Sequence, residues 1–151
     1  MEHFPHISAN SEIFVLTGAG ISKESGLETF FRDNDGLWNN HRVEDVATPE
    51  AFTRNPSLVY NFYNNRRREL NSGIKPNKAH LILTELEKTF KINIITQNID
   101  NLHEIAGNSS IIYMHGELNK ARCIKNDIHV YHWTTDLDET HKCSHCGSQM
   151  R

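Results

Sequence analysis

The sequence predicts an α/β fold: a short parallel sheet interleaved with helices, a small helical insertion and a small Cys-containing module. Three observations carry this. Apolar runs at 13–16, 92–96 and 111–114 are short, rich in β-branched residues, and each is followed at once by a glycine-rich or polar word. Stretches of helical periodicity separate these runs, the order expected of a parallel α/β sheet. After Leu118 the texture changes to a short polar tail rich in His and Cys.

In chain order, residues 1–11 read as a lead-in. The run at 13–16 is expected to be a buried strand ending in the turn Gly18-Ala19-Gly20, with a helix beginning over 21–25. The free N–H groups of that helix and its dipole would favour an anion, and the two glycines leave room for a phosphate. Only a partial G-x-G is present, because Lys23 stands where the dinucleotide fingerprint has its third glycine. Residues 31–53 are rich in Asn, Asp, Gly and His and read as a long loop with short helical turns, a length that is usually functional.

A helix is expected over 57–70, after the Asn55-Pro56 breaker. Leu58, Phe62 and Leu70 share a face there, with Val59 and Tyr63 beside it. Arg66-Arg67-Arg68 reads as a solvated part of this helix. A second helix begins near Asn77, its N-cap, with Ala79, Leu83, Leu86 and Phe90 as the buried stripe. The strand at 92–96 ends in Gln97-Asn98-Ile99-Asp100. Helical turns over 101–106 stop at Gly107, and the strand at 111–114 ends at His115. Ligands collect outside the carboxyl ends of parallel strands, and the three polar words fall at that edge. Residues 120–151, with a strand candidate at 129–133, read as a separate small module hung on the sheet.

The chain has 151 residues, enough for one packed domain and a satellite module. Hydrophobic residues make up 37%, charged residues 23%, and mean hydropathy is −0.59, a soluble globular balance. No apolar run approaches the roughly 20 residues of a membrane span, and the N-terminus is no secretory signal, so no membrane role is expected and the cytoplasm is the expected location. A net charge of −3 gives no reason to expect nucleic-acid binding. Cysteine is present three times, and the Cys143-Ser144-His145-Cys146 spacing suggests metal ligation before a disulfide.

Individual residues suggest chemistry. Asn98 and Asp100, two apart past a strand, can face one side and suit ribose hydroxyls or a carboxamide; the same pair also suits loop capping. His115 follows a strand and precedes Gly116, and an imidazole is a natural general base near neutral pH. Tyr63 and Arg66, three apart on a helix, could bind a carboxylate, or could equally be a core-facing Tyr and a solvated Arg.

The words Gly18-Ala19-Gly20-Ile21-Ser22, Ser25-Gly26, Thr29-Phe30, Gly36-Leu37-Trp38, residues 96–103 (TQNIDNLH) and His115-Gly116-Glu117-Leu118 occur in one order. Together they resemble the sirtuin family of NAD-dependent protein deacylases, most closely its bacterial CobB-type branch. The resemblance implies a partial Rossmann-like NAD-binding domain over 1–118, with a helical and loop insertion at about 33–72. An incomplete, zinc-ribbon-like zinc-binding module over 119–151 is implied beside it. Gly18, Ala19, Gly20, Ile21, Phe30, Arg32 and Trp38 are then expected to contact NAD. Gln97, Asn98, Ile99, Asp100 and His115 would complete the cofactor pocket around nicotinamide and its ribose, with His115 and Asn98 catalytic. Tyr63 and Arg66 match a Tyr-x-x-Arg word that implies preference for succinyl- or malonyl-lysine alongside acetyl-lysine. Acylated-lysine proteins are the implied partners.

The implied reaction transfers an acyl group from lysine to ADP-ribose with release of nicotinamide. The acyl oxygen attacks the ribose carbon, and His115 takes a proton from the ribose hydroxyls. Cys123, Cys143 and Cys146 resemble the family's structural zinc module. The first knuckle lacks a second cysteine, and His129, His132, His141 and His145 are all open as the fourth ligand. Phe31 is an apparent insertion before Arg32. The family also continues beyond the point where this chain stops, so an open sheet edge covered by a partner or oligomer is expected, along with doubtful turnover by this chain alone. Two rivals remain: a truncated remnant acting as a nucleotide-binding or interaction fragment, and a small zinc-binding adaptor.

Overall fold

The computed structural model describes residues 7–8, 11–27, 37–38 and 41–151. Three parallel strands form the main sheet in the order β1 (Glu12–Thr17), β4 (Lys91–Thr96), β5 (Ile111–Tyr113). Between β1 and β4 run α1 (Ala19–Ser22) with a 3-10 turn (Lys23–Ser25), the small antiparallel pair β2 (Leu37–Trp38) and β3 (His41–Arg42), and the helices α2 (Val43–Val46), α3 (Pro49–Arg54), α4 (Pro56–Leu70) and α5 (Lys78–Leu86). Helix α6 (Leu102–Ala106) connects β4 to β5, and an antiparallel pair, β6 (Lys120–Arg122) and β7 (Val130–His132), follows. No helix among the described residues is long and apolar enough to cross a membrane.

Local chemistry explains the helix starts. Thr48 and Asn55 cap α3 and α4 by accepting from Ala51 N and Leu58 N, each with proline at the first helical position. Asn77 caps α5 in a capping box closed by His80. Gly107, at φ 99°, ends α6 in a left-handed conformation that a side chain would strain.

The sheet has two unequal faces. Ile13, Val15 and Thr17 lie in register with Ile92, Ile94 and Thr96 on the more covered side, where Thr17 Oγ1 lies 3.1 Å from His103 Nε2. On the other side Phe14 (63% exposed), Leu16 (66%), Ile112 (56%) and Met114 (53%) face outward, with no cover among the described residues. The expectation of a buried first strand is therefore corrected. Among the described residues β1 is an outer strand of the sheet, its burial alternates, and pleating turns Phe14 and Leu16 out.

The stripe expected for α5 is also corrected. Ala79 and Leu86 are exposed, as are Leu81 and Ile82, and the residue wholly buried is His80. The capping box turns its ring inward against His103, 4.8 Å away edge to face, and Thr84 Oγ1 donates to Ala106 O on α6. Polar contacts rather than leucines therefore set the rotation of α5.

The arginine cluster on α4 is not solvated as expected. Arg66 and Arg67 are buried, and Arg68 alone is exposed, paired with Asp136 at 2.7 Å. Nor does the Cys-containing module hang on the sheet. Cys123, Cys143, Ala121, Leu137 and Met150 share one apolar cluster with Ala51, Phe52, Val59 and Tyr60 of α3 and α4. Tyr60 donates to Met150 O (2.6 Å), and Asn64 bonds Leu137 at both backbone groups (2.9 Å each). These buried polar ties fix how the module sits on α4.

Candidate active site

Register places the site. Thr17 pairs with Thr96, and Thr96 with Tyr113, so three parallel strands end level. The ladder runs one residue further, with Gln97 N donating to Thr17 O and Met114 N to Thr96 O (2.9 Å each). Gly18, Gln97 and Met114 therefore emerge side by side, and Asn98 and His115 are each one residue beyond.

The glycine corner and the Gln97–Asp100 word are joined by direct bonds. Asn98 Nδ2 donates to Gly18 O (3.1 Å) and to Ser22 Oγ (3.1 Å), while Ser22 Oγ donates to Asp100 Oδ2 (2.8 Å). Ser22, Asn98 and Asp100 are all buried. Burial pushes the Asp100 carboxyl above its ordinary range, and bonds from Leu102 N and Ser22 with the nearby His103 partly offset this. An added Cβ on Gly20 would meet nothing within 4 Å, so the corner stays open beside this polar set. Helix α1 begins two residues earlier than the sequence suggested and spans only four residues, so its dipole is slight; the openness of the corner matters more.

His115 is exposed and precedes Gly116, whose φ of 80° turns the chain back toward α4. It lines a cavity of about 600 Å³ with Ile99, Met114, Glu117, Tyr63 and Arg67 among others. Tyr63 stands between both apolar clusters at this wall, and burial raises its phenol pKa. Arg66 is not among the residues lining the cavity. Its guanidinium sits 3.4 Å over the Phe62 ring and donates from Nη1 to Phe62 O (2.8 Å). Phe30 and Arg32 lie outside the described residues. Trp38 is placed by its backbone alone, in β2.

Several residues were not marked by the sequence. Ser22 sat inside a matching word, yet only the fold shows that it bridges Asn98 and Asp100. Arg67 donates from Nε to Leu118 O (3.0 Å) and from Nη1 to Asn64 Oδ1 (2.8 Å) and Thr135 O (3.3 Å), tying α4 to the segment that follows His115. Burial and the neighbouring arginines disguised it, since a run of three basic residues looks alike at every position.

A second constellation lies in the module. The ligand atoms of Cys123, His129, Cys143 and Cys146 all lie within 4.8 Å of one another. Zinc–sulfur bonds of about 2.3 Å in a tetrahedron put donor atoms roughly 3.8 Å apart. The Cys123–Cys146 Sγ separation of 3.5 Å and the Cys143 Sγ–His129 Nδ1 separation of 3.4 Å fit that spacing. For Cys143, burial raises the thiol pKa, but the Tyr131 hydroxyl and the backbone N–H groups of His145 and Cys146 outweigh it and bring the pKa down to about 5. The donor set fits a structural zinc.

The Sir2 family model matches residues 18–151. An NAD-dependent protein deacylase of Pasteurella multocida is 58% identical over 137 residues, covering 89% of this chain and 58% of that protein. The NAD-dependent protein deacylase SIR2rp3 of Leishmania major is 55% identical, covering 89% of this chain and 57% of that one. The crystal structure of a Sir2 homolog–NAD complex superposes with a TM-score of 0.79 at 39% identity, covering 93% of this chain and 55% of that one. The chain thus spans a little under three fifths of the length of these relatives.

Proposed function

Because the chain belongs to the Sir2 family, we propose that it is the catalytic-edge portion of an NAD-dependent protein-lysine deacylase. The observation that carries this is the level ending of β1, β4 and β5, which brings Gly18, Asn98, Asp100 and His115 to one edge beside the cavity. NAD is the co-substrate: nicotinamide is its leaving group, and the acyl group passes from lysine to the ADP-ribose remaining. Gly18 and Gly20 admit the co-substrate close to the backbone. Asn98 and Asp100, held by Ser22, orient the nicotinamide riboside end with a fixed amide and carboxyl. His115, at the cavity mouth, takes the proton from a ribose hydroxyl as that oxygen attacks the acyl carbon. Zinc held by the cysteine module takes no part in these steps.

Two finer assignments belong to this reading. Preference for an acidic acyl group is supported by Tyr63 at the wall and by Arg67, Arg122 and Arg151 around the same cavity. Arg66 would have to rotate off the Phe62 ring to join them. Acylated-lysine proteins would be the macromolecular substrates. The test is release of nicotinamide from NAD in the presence of acetylated or succinylated peptide. Turnover that His115→Ala lowers by roughly 100-fold or more supports the proposal. Unchanged turnover in that variant would overturn it. The second reading, a fragment that binds nucleotide or a partner without turnover, is favoured by the outward apolar face at Phe14, Leu16, Ile112 and Met114. ADP-ribose binding without nicotinamide release would select it.

A further inference from the structure

We propose that this chain's metal site is Cys3His, with His129 bound through Nδ1 in place of the cysteine that the first knuckle lacks. After Cys123 the knuckle carries Ile124, Lys125, Asn126 and Asp127, and Asp127 is engaged by Arg122 at 2.9 Å. Asp127 is not among the clustered donor atoms. The chain instead turns back across the knuckle: Cys123 N donates to His129 O (3.0 Å), which fixes His129 opposite Cys123, just ahead of β7.

The other three histidines are placed for different contacts. His141 Nδ1 lies 2.8 Å from Asp138 Oδ1, and its ring packs edge-on against Trp133. His132 is exposed and follows Tyr131, whose hydroxyl reaches Cys143 Sγ (3.2 Å); strand alternation turns His132 the opposite way. His145 stacks on the His129 ring at 4.4 Å and 28°, supporting its plane rather than joining the donors. Lys125 N (3.4 Å from Cys123 Sγ) and the Tyr131 hydroxyl supply outer hydrogen bonds to two of the sulfurs. Metal on Nδ1 leaves the His129 proton on Nε2, which lies 3.3 Å from the Asn126 amide. Turning that amide presents its oxygen as the acceptor, at the loss of its present bond from Ile128 N (3.1 Å). Three thiolates and a neutral imidazole leave the zinc site with one net negative charge, against two for four thiolates.

The experiment is cobalt(II) substitution of the purified protein, read by visible absorption, with zinc content by elemental analysis. The parent should bind one metal ion with thiolate-to-cobalt absorption from three sulfurs. His129→Ala should weaken cobalt binding by more than the roughly 10- to 100-fold typical of losing an outer-shell partner. His129→Cys should keep one ion and raise the thiolate charge-transfer intensity per cobalt by about one third, from three sulfurs to four. His132→Ala and His145→Ala should retain the parental sulfur count. Parental affinity and spectrum in His129→Ala would overturn the assignment. If His129→Ala fails to fold by circular dichroism, His129→Cys decides alone, and an unchanged charge-transfer intensity there overturns it.

Discussion

Acidification should weaken the fold chiefly through His80. Its ring is fully buried, its Nδ1 accepts the Asn77 N–H (3.4 Å), and its Nε2 has no hydrogen-bond partner among the described residues. Adding a proton would charge a desolvated ring, remove the acceptor that closes the α5 capping box, and set that charge against His103. Burial first, and His103 second, hold the pKa at about 4 against an ordinary 6.5. The folded pKa is depressed, so the contribution is present above pH 6.5 and is lost as pH falls toward 4. At pH 5 an unfolded histidine is almost fully protonated while His80 is not. Linkage then gives a loss of about 2 kcal/mol between pH 7 and pH 5. His103, depressed mainly by burial, acts in the same direction. His80→Gln retains an acceptor for Asn77 without a titrating ring. Urea unfolding at pH 7 and pH 5 should show the variant losing about 2 kcal/mol less than the parent over that interval. Equal losses in the two proteins would refute the argument.

Other perturbations test other parts of the structure. Arg67→Met should cost roughly 2–3 kcal/mol in thermal denaturation, because it strands the Leu118 and Thr135 carbonyls and leaves Asn64 Oδ1 with the Leu137 N–H alone; a change under about 0.5 kcal/mol would show that these bonds are idle. Ser22→Ala removes a donor from Asp100 and an acceptor from Asn98, so calorimetry should show NAD binding weakened by about 1–2 kcal/mol, and unchanged binding would take the serine out of the co-substrate corner. Replacing Phe14 and Leu16 together by Ser should reduce binding of a hydrophobic dye and self-association in sedimentation, since both side chains project from the uncovered sheet face. Tyr63→Phe should lower kcat/KM for succinyl-lysine peptide more than for acetyl-lysine peptide; equal loss on both would remove the phenol from acyl selection.

Much of this is legible in the sequence, and what is legible has a common cause. The strands at β4 and β5, the start of α4 and the stop at Gly107 depend on neighbours in sequence: apolar runs, Asn-Pro, a glycine where φ must be positive. The site edge was legible because polar words at strand ends need only a parallel sheet to converge. What escaped depends on tertiary surroundings. Nothing in Arg66-Arg67-Arg68 distinguishes a buried clamp from a solvated charge, since the distinction is made by the Leu118 and Thr135 carbonyls, some 50 and 68 residues away. The rotation of α5 was misread for the same reason, its inward residue being the histidine that faces His103.

Those long-range contacts connect the two constellations. Arg67 holds the segment just after His115 and also Thr135 in the cysteine module, while Asn64, one turn earlier, clamps Leu137 by two bonds and bonds Arg67 itself. Tyr63, beside Asn64, packs into both the apolar cluster containing Cys123 and Cys143 and the cluster beneath Ile99. One face of α4 therefore shares its neighbours between the metal donors and the cavity wall. Loosening the module removes packing from Tyr63 and backbone anchors from Arg67 at once. Helix α4 is thus the physical contact between the segment that follows His115 and the module that carries the donors.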